Sequence, residues 1–318
     1  MLPLQYAAFS QTWTSHAYAR FDGLSAAELS ARFLGVLPDN AEVANVQPVQ
    51  IEPIAPANDS LAAPLPSSFD WRDEFLSFCI GAVQDQGECG SCWAVASVES
   101  LGDRRCIREA AAAAHSHGPK PQRIALSSLD VVACDKLCEG LEKCCRGCAG
   151  GYPKLAFDYI KKQGIVTDAC MPYNTSRSLL CPLPKCRKPI SDAKYKARDV
   201  KQVIGGALAM RAELVASGPV AATFSVYEDF MNYRSGVYQL SNTSGKRLGL
   251  HAVKVVGYGV VLNTSEDGET TPLQYWKCQN SWGSAWGMNG SFMIAQGECG
   301  VEESVFTATP CIEGEICV

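Results

Sequence analysis

The chain has 318 residues, of which 47% are hydrophobic and 19% charged, and its formal net charge is −5. That balance supports a buried core, excludes a largely disordered chain and suits about two domains at roughly 150 residues each. No apolar run approaches the roughly 18 to 20 residues of a membrane span, and an acidic chain has no general attraction for nucleic acid or anionic lipid.

Residues 1–64 contain no cysteine and set Arg20 and Arg32 against Asp22, Glu28, Asp39, Glu42, Glu52 and Asp59, so they carry most of the negative charge. All sixteen cysteines fall between Cys79 and Cys317. This asymmetry predicts a detachable acidic segment followed by a nearly neutral, disulfide-stapled globule. Met1–Trp13 lacks the basic and apolar regions of a secretory signal. The cysteines nevertheless call for an oxidising compartment. Five of the nine asparagines head N-x-[ST] sequons: Asn58, Asn174, Asn242, Asn263 and Asn289. A missing or misassigned N-terminus is the expectation that joins these observations.

Along the chain, residues 24–36 read as a short amphipathic helix and 43–65 as a Pro- and Ala-containing linker, which puts a boundary near Leu65. Trp93 to Arg108 reads as a helix buried at its start and solvated at its finish, extended by Ala110–Ala114 until Gly118 and Pro119 stop it. Beyond Lys201 the pattern turns to strands at 221–226, 251–256 and 273–279. The expected fold class is α+β, with the helical half first and the sheet half second.

The segment QGECGSCW, Gln86 to Trp93, places Cys92 where the buried helix begins. Free N–H groups and the positive dipole end at a helix N-terminus favour a thiolate. A thiolate nucleophile needs a base, and His251 is the candidate among four histidines. His16 lies in the detachable segment, and His115 and His117 sit in a helix end and loop without a metal-ligand pattern. If the strands that begin at His251 and end at Asn280 form an antiparallel hairpin, those two residues become neighbours. The amide would then fix the imidazole tautomer.

These residues resemble the signature blocks of papain-like cysteine proteases: CGSCW at Cys89–Trp93, His251 followed by Ala252, and NSWGSAWGMNG at Asn280–Gly290. LPSSFDWR at Leu65, DRRC ending at Cys106, CAGGYP at Cys148, SGPVAATFSVYEDFMNYRSGVY from Ser217 and CGVEESV at Cys299 extend the likeness to about Pro310. His251 and Asn280 lie 159 and 188 residues after Cys92, a long separation that resembles the cathepsin B-like branch.

The resemblance implies a papain-like two-domain fold. Residues 1–64 would be a propeptide, 65–190 a mainly helical left domain with the nucleophile on its central helix, and 191–318 a mainly β right domain, with a cleft between the two. It implies Cys92 as nucleophile, His251 as general base and acid, Asn280 as orienter and Gln86 as oxyanion donor. Trp282 would shield the His251–Asn280 bond, and Gly150 and Gly151 would let a substrate backbone pair. Pro153, Ala252 and Leu248 would wall the pocket for the second side chain before the scissile bond, over a floor at Ser304.

It further implies the disulfides Cys79–Cys106, Cys89–Cys148, Cys134–Cys186 and Cys170–Cys181. The odd count without Cys92 leaves a further free thiol, with Cys278 and Cys299 as candidates. Disulfides are favoured over zinc for the cluster from Cys134 to Cys148. The implied enzyme is a zymogen-derived endopeptidase acting on proteins and peptides, inhibited by its own propeptide and by cystatin-type inhibitors. It would be a monomer without cofactor, metal, nucleic-acid or membrane partner, in a lysosome or vacuole or secreted. The segment Cys170–Cys186 contains no histidine, so it lacks the residues of an occluding loop; Lys185 within it and Arg187 and Lys188 just after it offer positive charge. Two other readings stand beside this one. The first is a catalytically inactive relative, to which Leu250 before the histidine is relevant, and the second is a disulfide-rich adhesion protein.

Overall fold

The computed structural model describes residues 12–38, 64–116, 118–140, 143–175, 181, 186, 193–241, 244–264, 270–313, 315 and 317. In chain order the elements are β1 (Trp13–Ser15), α1 (Ala26–Phe33), β2 (Phe69–Asp70), α2 (Cys92–Ser116), α3 (Ser128–Cys134), β3 (Cys138–Glu139), β4 (Lys143–Cys144), α4 (Pro153–Gln163) and β5 (Ala197–Gln202). There follow α5 (Gly206–Ser217), β6 (Val220–Tyr227), β7 (Tyr233–Tyr238), β8 (Arg247–Thr264), β9 (Thr270–Gln279), β10 (Ser291–Ala295) and β11 (Ser304–Pro310). The class is α+β, as the sequence predicts. The linker as far as residue 63, with its sequon Asn58, lies outside the described residues, as do His117, Asn242, Lys185, Arg187 and Lys188.

The strands form a sheet in the order β1-β7-β10-β9-β8-β6-β11-β5, with β2 added against β8. One core packs α2, α3 and α4 around Trp93, Val98, Phe157 and Ile160. A second packs the sheet around Phe224, Tyr258, Trp276 and Phe292. The N-terminal segment joins that second core. Trp13 meets Tyr238 at 5.1 Å and Phe21 meets Trp282 at 5.7 Å between ring centroids. Helix α1 starts in a capping box: Ser25 Oγ accepts from Glu28 N, and Glu28 Oε2 accepts from Ser25 N at 2.9 Å. Its Leu29 and Phe33 are buried.

Helix α2 begins at Cys92 and runs 25 residues against helices on one side and sheet on the other. Here the expectation of a solvated finish is corrected, because Asp103 and Arg104 are buried. Each is paired: Asp103 with Arg123 and Lys254 at 2.6 Å each, and Arg104 with Glu213 of α5 at 2.8 Å. Buried charge survives only with such partners, and all of them are remote in sequence.

The long β8–β9 hairpin forms as predicted. Its register pairs Lys254 with Gln279 and Thr264 with Thr270 across a bulge between Val255 and Gly257.

Disulfides join Cys79 to Cys106 and Cys89 to Cys148, matching the expected pairs. The other two are exchanged: Cys134 bonds Cys181 and Cys170 bonds Cys186. The reason is proximity. Cys134, Cys170 and Cys186 share one small apolar cluster with Val166 and Met171, so side-chain geometry decides between partners that sequence spacing cannot separate. Cys138–Cys144 and Cys311–Cys317 also close. Cys278 and Cys299 are free thiols, and so is buried Cys145, which the sequence reading had grouped with the disulfide cluster.

Candidate active site

Three elements meet at the site: the start of α2, the first third of β8 and the loop after β9. Cys92 is fully buried at the helix start, and its Sγ accepts from Ala252 N at 3.4 Å. His251 Nε2 lies 2.7 Å from Asn280 Oδ1, which also accepts from Ser281 N at 2.7 Å. An amide oxygen can only accept, so Nε2 carries the proton and a neutral ring keeps Nδ1 as its acceptor. The Trp282 indole covers the imidazole, with centroids 4.8 Å apart, and is itself fully buried.

Gln86 is held on several sides. Its N–H donates to Ser281 O at 2.8 Å, the Ser281 hydroxyl donates to its Oε1, and its Nε2 donates to Cys89 O at 2.8 Å and to Phe33 O at 3.1 Å. The last contact comes from the N-terminal segment, which crosses the site just after α1. Gly151 N donates to Gly35 O at 2.9 Å, Leu37 N to Gly151 O at 3.2 Å and Val36 N to Leu250 O at 3.3 Å. A peptide strand of the chain itself therefore lies between Gly151 and β8, over Cys92. Glycine is required on the Gly151 side: φ is +110° at Gly150, and a Cβ on Gly151 would meet the Trp93 ring at 2.6 Å. Two ion pairs, Arg20–Asp85 at 3.1 Å and Arg32–Glu88 at 3.4 Å, bracket the crossing.

This cover sets the electrostatics. Burial pushes the Cys92 thiol up to about 11, against the downward pull of N–H donors at Ala252 and Gly35. Burial also pushes His251 down to about 4, against the Asn280 hydrogen bond. Desolvation thus outweighs the hydrogen bonds at each group and disfavours the charged form of both.

Beside the crossing is a cavity of about 200 Å³ whose lining includes Pro153, Thr223, Leu250, Glu303, Ser304 and Phe306. Pro153 and Ser304 are both among its lining residues. Ala252 does not line this cavity; it packs in the helical core and turns its N–H to Cys92. Leu248 packs at the edge of the sheet core, and Leu250 supplies the wall instead. The Glu302 carboxylate accepts from Trp276 Nε1 at 2.7 Å and from Gly297 N, leaving exposed Glu303 as the neighbouring carboxylate on this side. Ser281, Phe33 and Gly35 were not singled out from the sequence. Ser281 directly follows Asn280, and Gly35 lies two residues beyond the end of amphipathic α1, but their partners are far away along the chain.

Residues 65–309 match the family model for papain family cysteine protease. A cathepsin B-like CP3 of Giardia intestinalis is 37% identical over 303 residues, covering 92% of this chain and 88% of that protein. Cathepsin B of Dictyostelium discoideum is 31% identical over 320 residues, covering 94% and 88%. The structure of proCathepsin B S9 from Trypanosoma congolense superposes with a TM-score of 0.68 at 28% identity, over 95% of this chain and 94% of that one. The chain belongs to the papain family of cysteine proteases, with cathepsin B-like relatives.

Proposed function

We propose that the chain is the zymogen of a cysteine endopeptidase in which Cys92 attacks the substrate carbonyl and His251 moves the proton. His251 Nδ1 would take the thiol proton once the cleft opens, giving a thiolate–imidazolium pair at the start of α2. The imidazolium then protonates the leaving amine, and water hydrolyses the thioester with His251 as base. Asn280 holds the ring, and Gln86 Nε2 with the Cys92 N–H receives the oxyanion. The observation that carries this reading is the strand at residues 34–37, because it makes backbone bonds to Gly151 and Leu250 of the kind an extended substrate would make. Its Phe33 carbonyl already occupies Gln86 Nε2. Cys92→Ser and His251→Ala should each abolish nearly all peptidase activity; substantial turnover by either purified variant sinks the assignment.

Residues 1–64 would be the inhibitory segment, removed near Leu65 at acid pH. The pocket at Pro153 and Ser304 would prefer Val, Leu or Phe over Arg, because Ser304 offers no charge to a buried guanidinium and Glu303 is solvent-exposed. A cleft without a histidine-bearing loop would cut chains internally. A peptide of about ten residues tests this: internal cuts indifferent to C-terminal amidation support it, and stepwise loss of dipeptides only from the free acid overturns it. The disulfides and sequons fit a glycosylated protein of a lysosome, vacuole or the cell exterior.

A further inference from the structure

Tyr173 follows Cys170 in the segment whose sequence lacks histidine, and its phenol turns toward the cleft. Its Oη donates to the Gln86 carbonyl at 3.1 Å and stands 2.5 Å from Ser91 Oγ. A phenol has one proton, so with that proton on Gln86 O the Ser91 hydroxyl is the donor in the second bond. The result is one ordered chain, Ser91 to Tyr173 to Gln86. Ser91 immediately precedes Cys92, so the tyrosine ties together the two backbone segments that supply the oxyanion donors.

The tie is anchored on the tyrosine side and is one of several contacts that set the position of Gln86. Tyr173 N donates to Asp168 Oδ1 at 3.1 Å, and Cys170 is cross-linked to Cys186. Gln86 is fixed at its N–H and side-chain oxygen by Ser281, while its carbonyl is held by Tyr173. The 86–87 peptide is held from both faces: its oxygen accepts from Tyr173, and the N–H of Gly87, a left-handed residue at φ +61°, donates to Asp85 Oδ1 at 2.9 Å. Burial pushes the Tyr173 hydroxyl up to about 12, so the phenol remains a donor from acid to neutral pH.

We propose that Tyr173 is a positioning residue for the oxyanion hole, holding Gln86 in register with the start of α2 through the Ser91–Tyr173–Gln86 hydrogen-bond chain. The inference rests on the oxyanion role of Gln86 proposed above. A donor displaced by a fraction of an ångström loses its grip on the tetrahedral oxygen while leaving ground-state binding intact.

The test uses the full-length chain activated by its own processing at acid pH, with active sites counted by an epoxide inhibitor. Tyr173→Phe removes only the hydroxyl. It should lower kcat about five- to tenfold with KM unchanged, and weaken a peptide aldehyde, whose adduct oxygen sits in the oxyanion hole, by the same factor. Alkylation of Cys92 by iodoacetamide makes no oxyanion and should keep its wild-type rate. Gln86→Ala runs in parallel: full kcat and aldehyde affinity there would remove the oxyanion reading itself. Loss in Gln86→Ala with wild-type behaviour in Tyr173→Phe overturns the positioning role alone. Slowed alkylation in Tyr173→Phe, matching the loss of kcat, also overturns it, because the damage then lies at the thiol. Ser91→Ala cuts the far end of the chain and should reproduce the pattern at about two- to threefold; an unchanged aldehyde affinity there counts against the relay, including where Tyr173→Phe fails to fold.

Discussion

Gly35 passes against Gly90 in the wall of the cleft with no space for a side chain, and Gly35→Ala should unlock the zymogen. A Cβ there would lie 2.0 Å from Gly90 O and 2.3 Å from Gly90 C. Gly90 has no room to give: its N–H donates to Cys148 O at 3.0 Å, and the adjacent Cys89–Cys148 disulfide cross-links that wall. The segment must therefore rise by about an ångström or more to restore ordinary contact, which breaks its bonds to Gly151 and Leu250. Those three backbone bonds at about 1 kcal/mol each amount to about 3 kcal/mol, or on the order of 100-fold in closure. The assay is iodoacetamide alkylation of Cys92 in uncleaved chain at neutral pH, over times too short for processing, with hydrolysis of a small fluorogenic substrate alongside. Alkylation should quicken about 100-fold while the melting temperature of the globule holds. A variant whose thiol is as slow as wild type would refute the claim that Gly35 seats the inhibitory strand.

Acid should loosen the same segment through Glu28, whose carboxyl is held below its ordinary range first by the Ser25 backbone N–H and then by the Ser25 hydroxyl. A depressed folded value stabilises above the ordinary carboxylate range and is lost as pH falls through that lowered value, so Ser25→Ala should speed activation and flatten its acid dependence; an unchanged profile of activation half-time against pH contradicts this. Ser304→Glu should bring arginine into the second pocket, read as a rise in Arg over Leu at that position of a peptide library, and a profile identical to wild type would place the determinant elsewhere. Non-reducing peptide mapping should recover Cys134 linked to Cys181 and Cys170 linked to Cys186, and recovery of the exchanged pairs would show the geometry of that cluster to be wrong.

Much of the chemistry was legible because it is local. Cys92 at a helix start needs only the apolar pattern after it, and the His251–Asn280 meeting needs only a hairpin, since antiparallel pairing brings the start of one strand beside the end of the next.

Tertiary structure decided what depends on partners far along the chain. Asp103 and Arg104 read as the solvated end of a helix because charge ordinarily means water, and they are buried because Lys254, Arg123 and Glu213 arrive from other elements. Composition set residues 1–64 apart, but only the fold laid Gly35 over Cys92. That placement opposes the local electrostatics, since covering the two groups removes water and disfavours the charged thiolate and imidazolium where the helix end alone favours charge. Tyr173 makes the same point at one residue: nothing near it in sequence marks its hydroxyl, whose meaning comes from Gln86 and Ser91, 87 and 82 positions away.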